Sequence, residues 1–290
     1  MKGIILAGGK GTRLYPITTT ISKQLLPVYD KPMIYYPLTT LMFAGIKEYL
    51  IICNEKDLDS YKNLLGNGSN WGLKIEYEIQ PDPNGIPEAL IIGETFLKQD
   101  DCVLVLGDNI FYGHNLASYL NMGVRNKQKN GAAVFTYRVN NPENFGVALI
   151  DKKNKITKII EKPKSTKSNL AITGLYIYSN NAIKYAKSLT KSKRGELEIT
   201  DLNNIYLKKN KLSSIHLGRG IAWLDTGTYE SMMQASEFIR TIEQRQGLKI
   251  ACPEEVAWRS KWISKKQLVK ISRLYSNSTY GRYLQDIIDS

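Results

Sequence analysis

The chain has 290 residues and a formal net charge of +13, with 40 Lys and Arg against 27 Asp and Glu. This length allows one large α/β domain, with or without a small appendage, to bury a sizeable core. The lysines are dispersed along the sequence, which favours a solvated basic surface over a nucleic-acid binding site. Such a surface would also attract small anions. The three cysteines are widely spaced, which predicts reduced thiols in a cytoplasmic protein. We find no signal sequence and no apolar run of membrane-spanning length, so no membrane partner is expected.

The first half of the chain alternates short apolar runs with amphipathic segments. The apolar runs predict strands over residues 3–6, 49–53, 73–79, 102–106 and 132–138. The amphipathic segments predict helices over residues 33–44, 56–65, 87–97 and 115–126. This alternation is typical of an α/β fold, here a Rossmann-like, mostly parallel or mixed sheet flanked by helices.

From about residue 145 the pattern becomes richer in β-structure. Three successive strands are predicted over residues 147–150, 155–161 and 171–178, as a β-rich insert beside the cleft. Then follow a predicted helix over 198–209, a strand over 213–217, a turn around Asp225 and a long helix over 228–246. Small helices over 254–262, 265–272 and 280–288 complete the chain.

The most informative stretch covers residues 6–27, directly after the first predicted strand. It contains three glycines, Gly8, Gly9 and Gly11. Without β-carbons the backbone can turn tightly and bring its N–H groups close to a ligand. Thr12 adds a hydroxyl, Arg13 a rigid fork of donors and Lys23 a mobile positive charge. Neither the Walker A spacing nor the dinucleotide pattern G-x-G-x-x-G fits, so the loop predicts a polyphosphate site of another kind.

The pattern G-G-x-G-T-R-L-x-P-x-T, followed by a lysine and L-L-P, closely resembles the signature of the sugar-1-phosphate nucleotidylyltransferases. The resemblance covers essentially the whole chain and is closest to the members that transfer a thymidylyl group to glucose 1-phosphate. Further matching segments lie at residues 31–37, 107–113, 194–201, 223–227 and 245–249.

This resemblance implies a transfer from dTTP to glucose 1-phosphate that gives dTDP-glucose and pyrophosphate for a deoxysugar pathway such as dTDP-rhamnose synthesis. It implies catalytic roles for Arg13, Lys23, Asp108 and Asp225, with the two aspartates as ligands of an essential Mg²⁺. Hard carboxylates suit Mg²⁺, whose remaining positions are filled by substrate phosphates and water. The attacking oxygen belongs to the already ionised sugar phosphate, so no protein nucleophile is required.

The same resemblance assigns binding residues on both sides of the reaction. The nucleotide is expected to contact Gly8, Gly9, Gly11, Thr12, Arg13, Lys23, Gln24, Gln80, Gly85 and Asp108. The sugar phosphate is expected to contact Asn109, Gly146, Glu161, Lys162, Ile172 and Arg194. Gln80 would read the pyrimidine edge, because an amide donates and accepts at once, and uracil would be read as well as thymine.

The expected organisation is an α/β domain over residues 1–250 and a helical C-terminal appendage over 251–290. Within the domain, residues 1–140 would bind the nucleotide and residues 141 to about 227 the sugar. The resemblance further implies a homotetramer and a feedback inhibitor, a downstream dTDP-sugar.

Two positions depart from the family pattern. Glu88 replaces a common glutamine, and a carboxylate beside a triphosphate site is expected to weaken nucleotide binding or alter base preference. Phe145 replaces a tyrosine and removes a hydroxyl near the sugar. Two alternatives stay open: the same reaction with UTP or another nucleotide, and a catalytically idle nucleotide-sugar sensor on the same fold.

Overall fold

The structure is a computed structural model that describes residues 1–127 and 129–289. Its strands are β1 (Lys2–Leu6), β2 (Pro27–Val28), β3 (Lys31–Pro32), β4 (Glu48–Cys53), β5 (Lys74–Ile79), β6 (Cys102–Leu106), β7 (Asn109–Gly113), β8 (Ala132–Arg138), β9 (Gly146–Ile150), β10 (Ile156–Glu161), β11 (Leu170–Tyr178), β12 (Leu212–His216) and β13 (Ile221–Asp225). Its α-helices are α1 (Tyr35–Phe43), α2 (Leu58–Leu65), α3 (Glu88–Ile92), α4 (Glu94–Leu97), α5 (Leu116–Asn126), α6 (Asn181–Lys187), α7 (Ile199–Lys208), α8 (Tyr229–Gln246), α9 (Pro253–Arg259), α10 (Lys265–Leu274) and α11 (Thr279–Asp289).

A mixed sheet of nine strands organises the described residues. Strands β6, β1, β4 and β5 run parallel in that spatial order, and β12 runs parallel to β8. β11 joins the two groups because it pairs antiparallel with β6 on one edge and with β8 on the other. Leu6 and Leu106 are register partners, so the carboxyl ends of β1 and β6 lie side by side. That edge is where ligands bind in α/β sheets.

Both faces of this sheet are covered at its centre, which explains why the parallel strands β1, β4 and β6 are largely apolar runs. Alternate residues point to opposite faces. Ile5 and Val105 belong to a core shared with α1, α5 and the helices α9–α11. Ile4 and Leu104 belong to a second core, shared with α3, α6 and α7.

The structure confirms the predicted α/β fold with a mixed sheet, and it corrects three details. The predicted helix over 87–97 is divided at Gly93 into α3 and α4, because Gly93 departs from the helical conformation. The chain packs closely onto β1 at this point, where a Cβ on Gly93 would lie 3.0 Å from Ile4 Cδ1. The predicted turn around Asp225 is the end of β13, which pairs with β7 in a separate two-stranded sheet. Helix α6 was not predicted.

The predicted β-rich region divides between two settings. Strands β9 and β10 form a hairpin that attaches to the start of β11. β11 itself also pairs along β6 and β8, so the nucleotide and sugar parts expected from the sequence share one sheet. The boundary between those parts stays a prediction.

The C-terminal helices are integrated with the rest of the molecule. Leu268 of α10 and Leu284 of α11 are fully buried in the core that contains Ile5. Glu254 of α9 is also buried and accepts a hydrogen bond from Trp71 Nε1 at 3.0 Å. In the part of the chain that the structure describes, no helix combines the length and apolar character needed to cross a membrane.

Candidate active site

The glycine-rich loop after β1 forms one wall of a cavity of about 270 Å³. Gly9 and Gly11 have φ values of 96° and 60°, which residues with a Cβ rarely adopt. This loop is tied to the start of α8, since the Tyr229 hydroxyl donates to the carbonyl oxygens of Leu14 and Tyr15 at 2.8 and 2.7 Å. Eight of the residues predicted to bind the nucleotide line this cavity: Gly8, Gly9, Gly11, Thr12, Arg13, Lys23, Gln24 and Asp108.

Asp108 and Asp225 are brought together by the small sheet of β7 and β13. Asp108 directly precedes β7, whose first residue, Asn109, is the register partner of Asp225. Thr226 reinforces the junction, because its Oγ1 donates to the Asp108 carbonyl oxygen at 2.8 Å. Two carboxylates far apart in sequence therefore share one corner of the cleft.

The electrostatic surroundings of the two carboxylates are unequal. Asp108 is paired with Lys23 and accepts a hydrogen bond from Asn109 Nδ2 at 3.0 Å. Burial disfavours its ionisation, but the charge and hydrogen bond of Lys23 outweigh this and lower the pKa of Asp108. Burial, and then the nearby charge of Asp108, raise the pKa of Asp225 to about 6. Lys23, Arg13 and Lys162 act in the opposite direction, so burial is the main reason that the pKa of Asp225 is raised.

Gly227 lets an arginine approach this corner. A Cβ at position 227 would lie 3.0 Å from both terminal nitrogens of Arg13 and 3.1 Å from Asp225 Oδ2. The Arg13 guanidinium and the Asp225 carboxylate are therefore close neighbours above a residue with no side chain. The sequence pattern contained Gly227 but gave it no role.

A second cavity, of about 770 Å³, adjoins the first. Arg13, Leu106 and Asp108 line both, so the two cavities meet at the predicted catalytic residues. The second cavity also contains Asp225 and every residue predicted to bind the sugar phosphate: Asn109, Gly146, Glu161, Lys162, Ile172 and Arg194. The combined shape fits two anionic ligands whose reacting ends meet between Arg13 and Asp108.

Within the second cavity, the amide of Asn109 is already engaged by the protein. Its Oδ1 accepts hydrogen bonds from Trp223 Nε1 at 2.6 Å and from the Gly174 N–H at 3.0 Å, while its Nδ2 donates to Asp108. Asn109 is buried, and these bonds fix the position of the Asp108 carboxylate. Trp223, which the sequence did not single out, is thereby part of the support for Asp108.

The charged groups around the predicted sugar-phosphate site compensate one another. Arg194 lies 3.4, 3.2 and 3.5 Å from the carboxylates of Glu161, Glu196 and Glu198. Thr200, also missed by the sequence, donates to Glu161 Oε2 at 2.5 Å. These bonds hold the Glu161 carboxylate at the cavity wall, where it can accept hydrogen bonds from hydroxyl groups.

Lys162 follows Glu161 with a φ of 37°, in the left-handed region that a residue with a side chain seldom occupies. Such strain persists only where the surroundings enforce it, and it is concentrated at functional sites. It turns the chain directly after β10, at the wall of the second cavity.

Comparison with known proteins agrees with this geometry. Residues 2–242 match the sequence family described as nucleotidyl transferase. The chain belongs to the nucleotidyl transferase family. A Neisseria meningitidis relative named glucose-1-phosphate thymidylyltransferase is 54% identical over 284 residues, which cover 98% of each chain.

Two solved structures are also similar to this chain. A Bacillus anthracis crystal structure in complex with sucrose, provisionally titled glucose-1-phosphate thymidylyltransferase, is 42% identical with a TM-score of 0.77 and covers 83% of this chain and 95% of its own. A UDP-glucose pyrophosphorylase complexed with UDP-glucose is 25% identical with a TM-score of 0.73, and covers 83% of this chain and 98% of its own.

Two residues predicted to read the base in this nucleotidyl transferase do not line the first cavity. Gln80 is buried with 3% of its surface exposed, and its Nε2 donates to Glu88 Oε2 at 2.6 Å. Gly85 packs against the backbone of Leu197, where a Cβ would lie 2.1 Å from the carbonyl oxygen. The roles assigned to these two residues stay predictions.

The two carboxylates of the acidic corner are hard oxygen ligands, which would suit Mg²⁺. Two carboxylates face one cleft, and burial, followed by the charge of Asp108, raises the pKa of Asp225. Among the described residues no group of three or more His, Cys, Asp or Glu side chains is arranged to hold a metal. Two carboxylates are too few to enclose a metal ion by themselves. They would suit Mg²⁺ whose remaining ligands are substrate phosphates and water.

Proposed function

We propose that this chain is an Mg²⁺-dependent enzyme that transfers a thymidylyl group from dTTP to α-D-glucose 1-phosphate, giving dTDP-glucose and pyrophosphate. The observation that carries the proposal is the meeting of two cavities at Arg13 and Asp108. The glycine-rich cavity suits a triphosphate, and the larger cavity, with Glu161 and Lys162 at its wall, suits a sugar phosphate. Relatives with the corresponding name support the choice of substrates.

The reaction requires an oxygen of the sugar phosphate to bond to the α-phosphorus as the bond from that phosphorus to the pyrophosphate oxygen breaks. All reacting groups are anionic, so alignment and charge compensation supply most of the rate enhancement. Arg13 lies at the junction, where its guanidinium can contact two phosphate oxygens at once. Lys23 lines the nucleotide cavity and adds a second positive charge beside the triphosphate.

Asp108 and Asp225 would hold Mg²⁺, which neutralises phosphate charge and polarises the reacting phosphoryl group. The chain's own contribution is to fix those carboxylates. Asn109 anchors Asp108, and β13 anchors Asp225. In the structure Lys23 is paired with Asp108, and exchanging this partner for a substrate phosphate would free Asp108 for the metal.

Other properties enter as proposals on the strength of the sequence resemblance. These are a homotetrameric assembly, feedback inhibition by a downstream dTDP-sugar and supply of a deoxysugar pathway such as that of dTDP-rhamnose. A cytoplasmic location is supported by Cys53, Cys102 and Cys252, which are buried free thiols. Light scattering of the purified protein tests the assembly directly.

Pyrophosphate release tests the proposed reaction. The assay uses glucose 1-phosphate and Mg²⁺ and compares dTTP, UTP, dCTP, ATP and GTP. We expect the highest kcat/KM with dTTP, loss of release in excess EDTA, and a fall in kcat of roughly 10²–10³ in Arg13→Ala. Arg282→Ala, an exposed change on α11, is the matched control and should retain its activity.

Two results would redirect the proposal. UTP is a real competitor, because one similar structure is a UDP-glucose pyrophosphorylase. Better use of UTP than of dTTP would retain the mechanism and change the substrate. No release from folded protein that still binds dTDP-glucose would identify a sensor of nucleotide sugars instead of an enzyme.

A further inference from the structure

Asn54, which the sequence did not single out, contacts the glycine-rich loop from outside the nucleotide cavity. It directly follows β4, which pairs parallel with β1, so the chain leaving β4 passes beside the loop that leaves β1. Its Nδ2 donates a hydrogen bond to the Gly9 carbonyl oxygen at 3.0 Å. Gly9 lines the nucleotide cavity, whereas Asn54 lines neither cavity. The bond therefore holds the loop from the side away from the ligand.

A buried carboxylate determines which end of the Asn54 amide meets the loop. Asn54 Nδ2 also donates to Asp57 Oδ2 at 3.2 Å, and Asp57 is buried with 3% of its surface exposed. A backbone carbonyl and an ionised carboxylate both accept hydrogen bonds and cannot donate them. An amide oxygen at this place would face two acceptors, so the NH₂ end of Asn54 must face Gly9 and Asp57 together.

The bond from Asn54 fixes the peptide group between Gly9 and Lys10. This peptide is trans, so its C=O and N–H point in opposite directions. Because the carbonyl oxygen is directed to Asn54, the Lys10 N–H points to the other side of the loop. Gly9 has a φ of 96° and no Cβ, so without a partner for its carbonyl this peptide could rotate. The contact with Asn54 therefore selects one orientation of the peptide.

A second carbonyl of the loop is held in the same way. Thr18 Oγ1 donates to the Gly11 carbonyl oxygen at 2.7 Å, and Thr18 lines neither cavity. The Thr12 N–H belongs to the same peptide as this carbonyl and points in the opposite direction. Carbonyl oxygens carry partial negative charge and N–H groups partial positive charge. The two bonds thus turn the atoms that repel an anion away from it and leave the N–H groups to attract it.

We propose that Asn54 is a positioning residue for the triphosphate: together with Asp57 it holds the Gly9–Lys10 peptide with its N–H toward the phosphates. The inference rests on the proposed function, in which the glycine-rich cavity binds the nucleoside triphosphate. Asn54 lies outside both cavities, so it acts only through the orientation of the loop. Loss of Asn54 should weaken binding of dTTP and leave binding of the sugar phosphate in the second cavity unchanged.

The experiment measures kcat and KM for dTTP and for glucose 1-phosphate in the unaltered enzyme and in three variants. Asn54→Ala removes the donor without adding charge. The exchanged pair, Asn54→Asp with Asp57→Asn, keeps the net charge and a hydrogen bond between positions 54 and 57, but it places a carboxylate oxygen against the Gly9 carbonyl. Thermal unfolding of each variant measures any loss of fold.

Asn180→Ala is the matched control. Asn180 is half-buried like Asn54, and its Nδ2 likewise donates to a backbone carbonyl, that of Lys98 at 2.6 Å. It lines neither cavity. The control therefore removes the same kind of bond at a distance from the glycine-rich loop, and its kinetic constants should equal those of the unaltered enzyme.

We expect KM for dTTP to rise about 3–10-fold in Asn54→Ala, the range for loss of one hydrogen bond, with kcat and KM for glucose 1-phosphate unchanged. The exchanged pair should show at least the same rise, because it also lacks a donor to Gly9. An unchanged KM for dTTP in either folded protein would overturn the inference. So would an equal rise of KM for both substrates in Asn54→Ala, since general loosening of the fold does not distinguish between them.

The two proposals fail in different ways. If the unaltered protein releases no pyrophosphate from any nucleotide, the proposed reaction fails, and the dissociation constant of dTTP from calorimetry replaces KM as the measure of the role of Asn54. If that protein does not bind dTTP either, both proposals are rejected. If the unaltered enzyme is active and Asn54→Ala uses dTTP equally well, the function stands and the role of Asn54 is rejected.

Discussion

At the scale of single residues, the corner of the cleft holds two carboxylates with opposite electrostatic behaviour. Lys23 keeps Asp108 ionised, whereas burial and the charge of Asp108 oppose the ionisation of Asp225. Ionising a buried carboxylate beside another one is costly, and a divalent cation would offset that cost. The arrangement would therefore favour the Mg²⁺ that we propose for this corner.

This imbalance predicts a pH-dependent effect of Asp225→Asn in the absence of metal. The pKa of Asp225 is raised from 3.8 to about 6, so the folded state binds more protons than the unfolded state between these values and loses stability as pH rises. The asparagine variant avoids that loss. It should be more stable by about 2–3 kcal/mol above pH 7, and this gain should disappear near pH 4.

Urea unfolding of both proteins in EDTA, at pH 4 and pH 7.5, measures this difference. Added Mg²⁺ should reduce the advantage of the variant, because the ion stabilises the unaltered corner and has lost one ligand in Asp225→Asn. An equal difference in unfolding free energy at the two pH values would show that ionisation of Asp225 is not the cause.

At the scale of elements, the start of α8 controls the glycine-rich loop. The helix begins with a capping box in which Thr228 Oγ1 accepts from the Ser231 N–H, and its first residue, Tyr229, donates to two loop carbonyls. A rigid helix terminus thus holds a loop whose backbone must face a triphosphate. Because the loop is already ordered, ligand binding loses less conformational entropy than it would with a loop that becomes ordered only on binding.

Tyr229→Phe should therefore weaken nucleotide binding while preserving the fold. The change removes one hydroxyl that serves two carbonyls, so we expect KM for dTTP to rise about 3–10-fold, equivalent to roughly 0.5–1.5 kcal/mol. Tyr77→Phe is a matched control, because its hydroxyl donates to the Gly66 carbonyl in the connection after α2. Similar KM values in both variants would show that the α8 contact does not organise the loop.

The elements also show what the sequence was able to reveal. Strands such as β1 and β6 were predictable because both faces are buried, which produces unbroken apolar runs. The pairing of β7 with β13 was not predictable, because the two strands are far apart in the sequence. Only the folded structure shows that Asp225 lies opposite Asn109. The family signature predicted many of the residues that line the two cavities, but Gln80 and Gly85 line neither, and the assigned roles stay predictions.

Side-chain partners were the least accessible to sequence reasoning. Glu88 was expected to place its charge beside the triphosphate, yet the turn before α3 directs it to Gln80 and Asn84. Likewise, the sequence did not reveal that the amide of Asn109 is bound to Asp108 and Trp223, and the predicted sugar contact of Asn109 stays a prediction. Both outcomes depend on backbone direction at single residues, which composition and spacing do not specify.

At the scale of the whole molecule, the C-terminal helices and the sheet share a core. A buried carboxylate joins them: Glu254 of α9 accepts from Trp71 Nε1 at 3.0 Å and from the Tyr280 hydroxyl at 2.5 Å. Trp71 belongs to the connection before β5, and Tyr280 to α11. Because apolar burial and this bridge connect the same parts, we expect the appendage and the α/β domain to unfold together.

Glu254→Ala tests this coupling. The change leaves the buried Trp71 Nε1 without its acceptor, while the Tyr280 hydroxyl keeps its contact with Cys252 Sγ at 3.1 Å. It should lower the free energy of unfolding by about 1–3 kcal/mol. Glu237→Ala is the control, because Glu237 is exposed and pairs with Arg240 on the helix surface, where solvent screens the pair. In urea, loss of tryptophan fluorescence and loss of pyrophosphate release should have the same midpoint in all three proteins. If Glu254→Ala instead shifts the fluorescence transition alone and leaves the activity midpoint in place, the C-terminal helices form an independent unit that the catalytic cleft does not require.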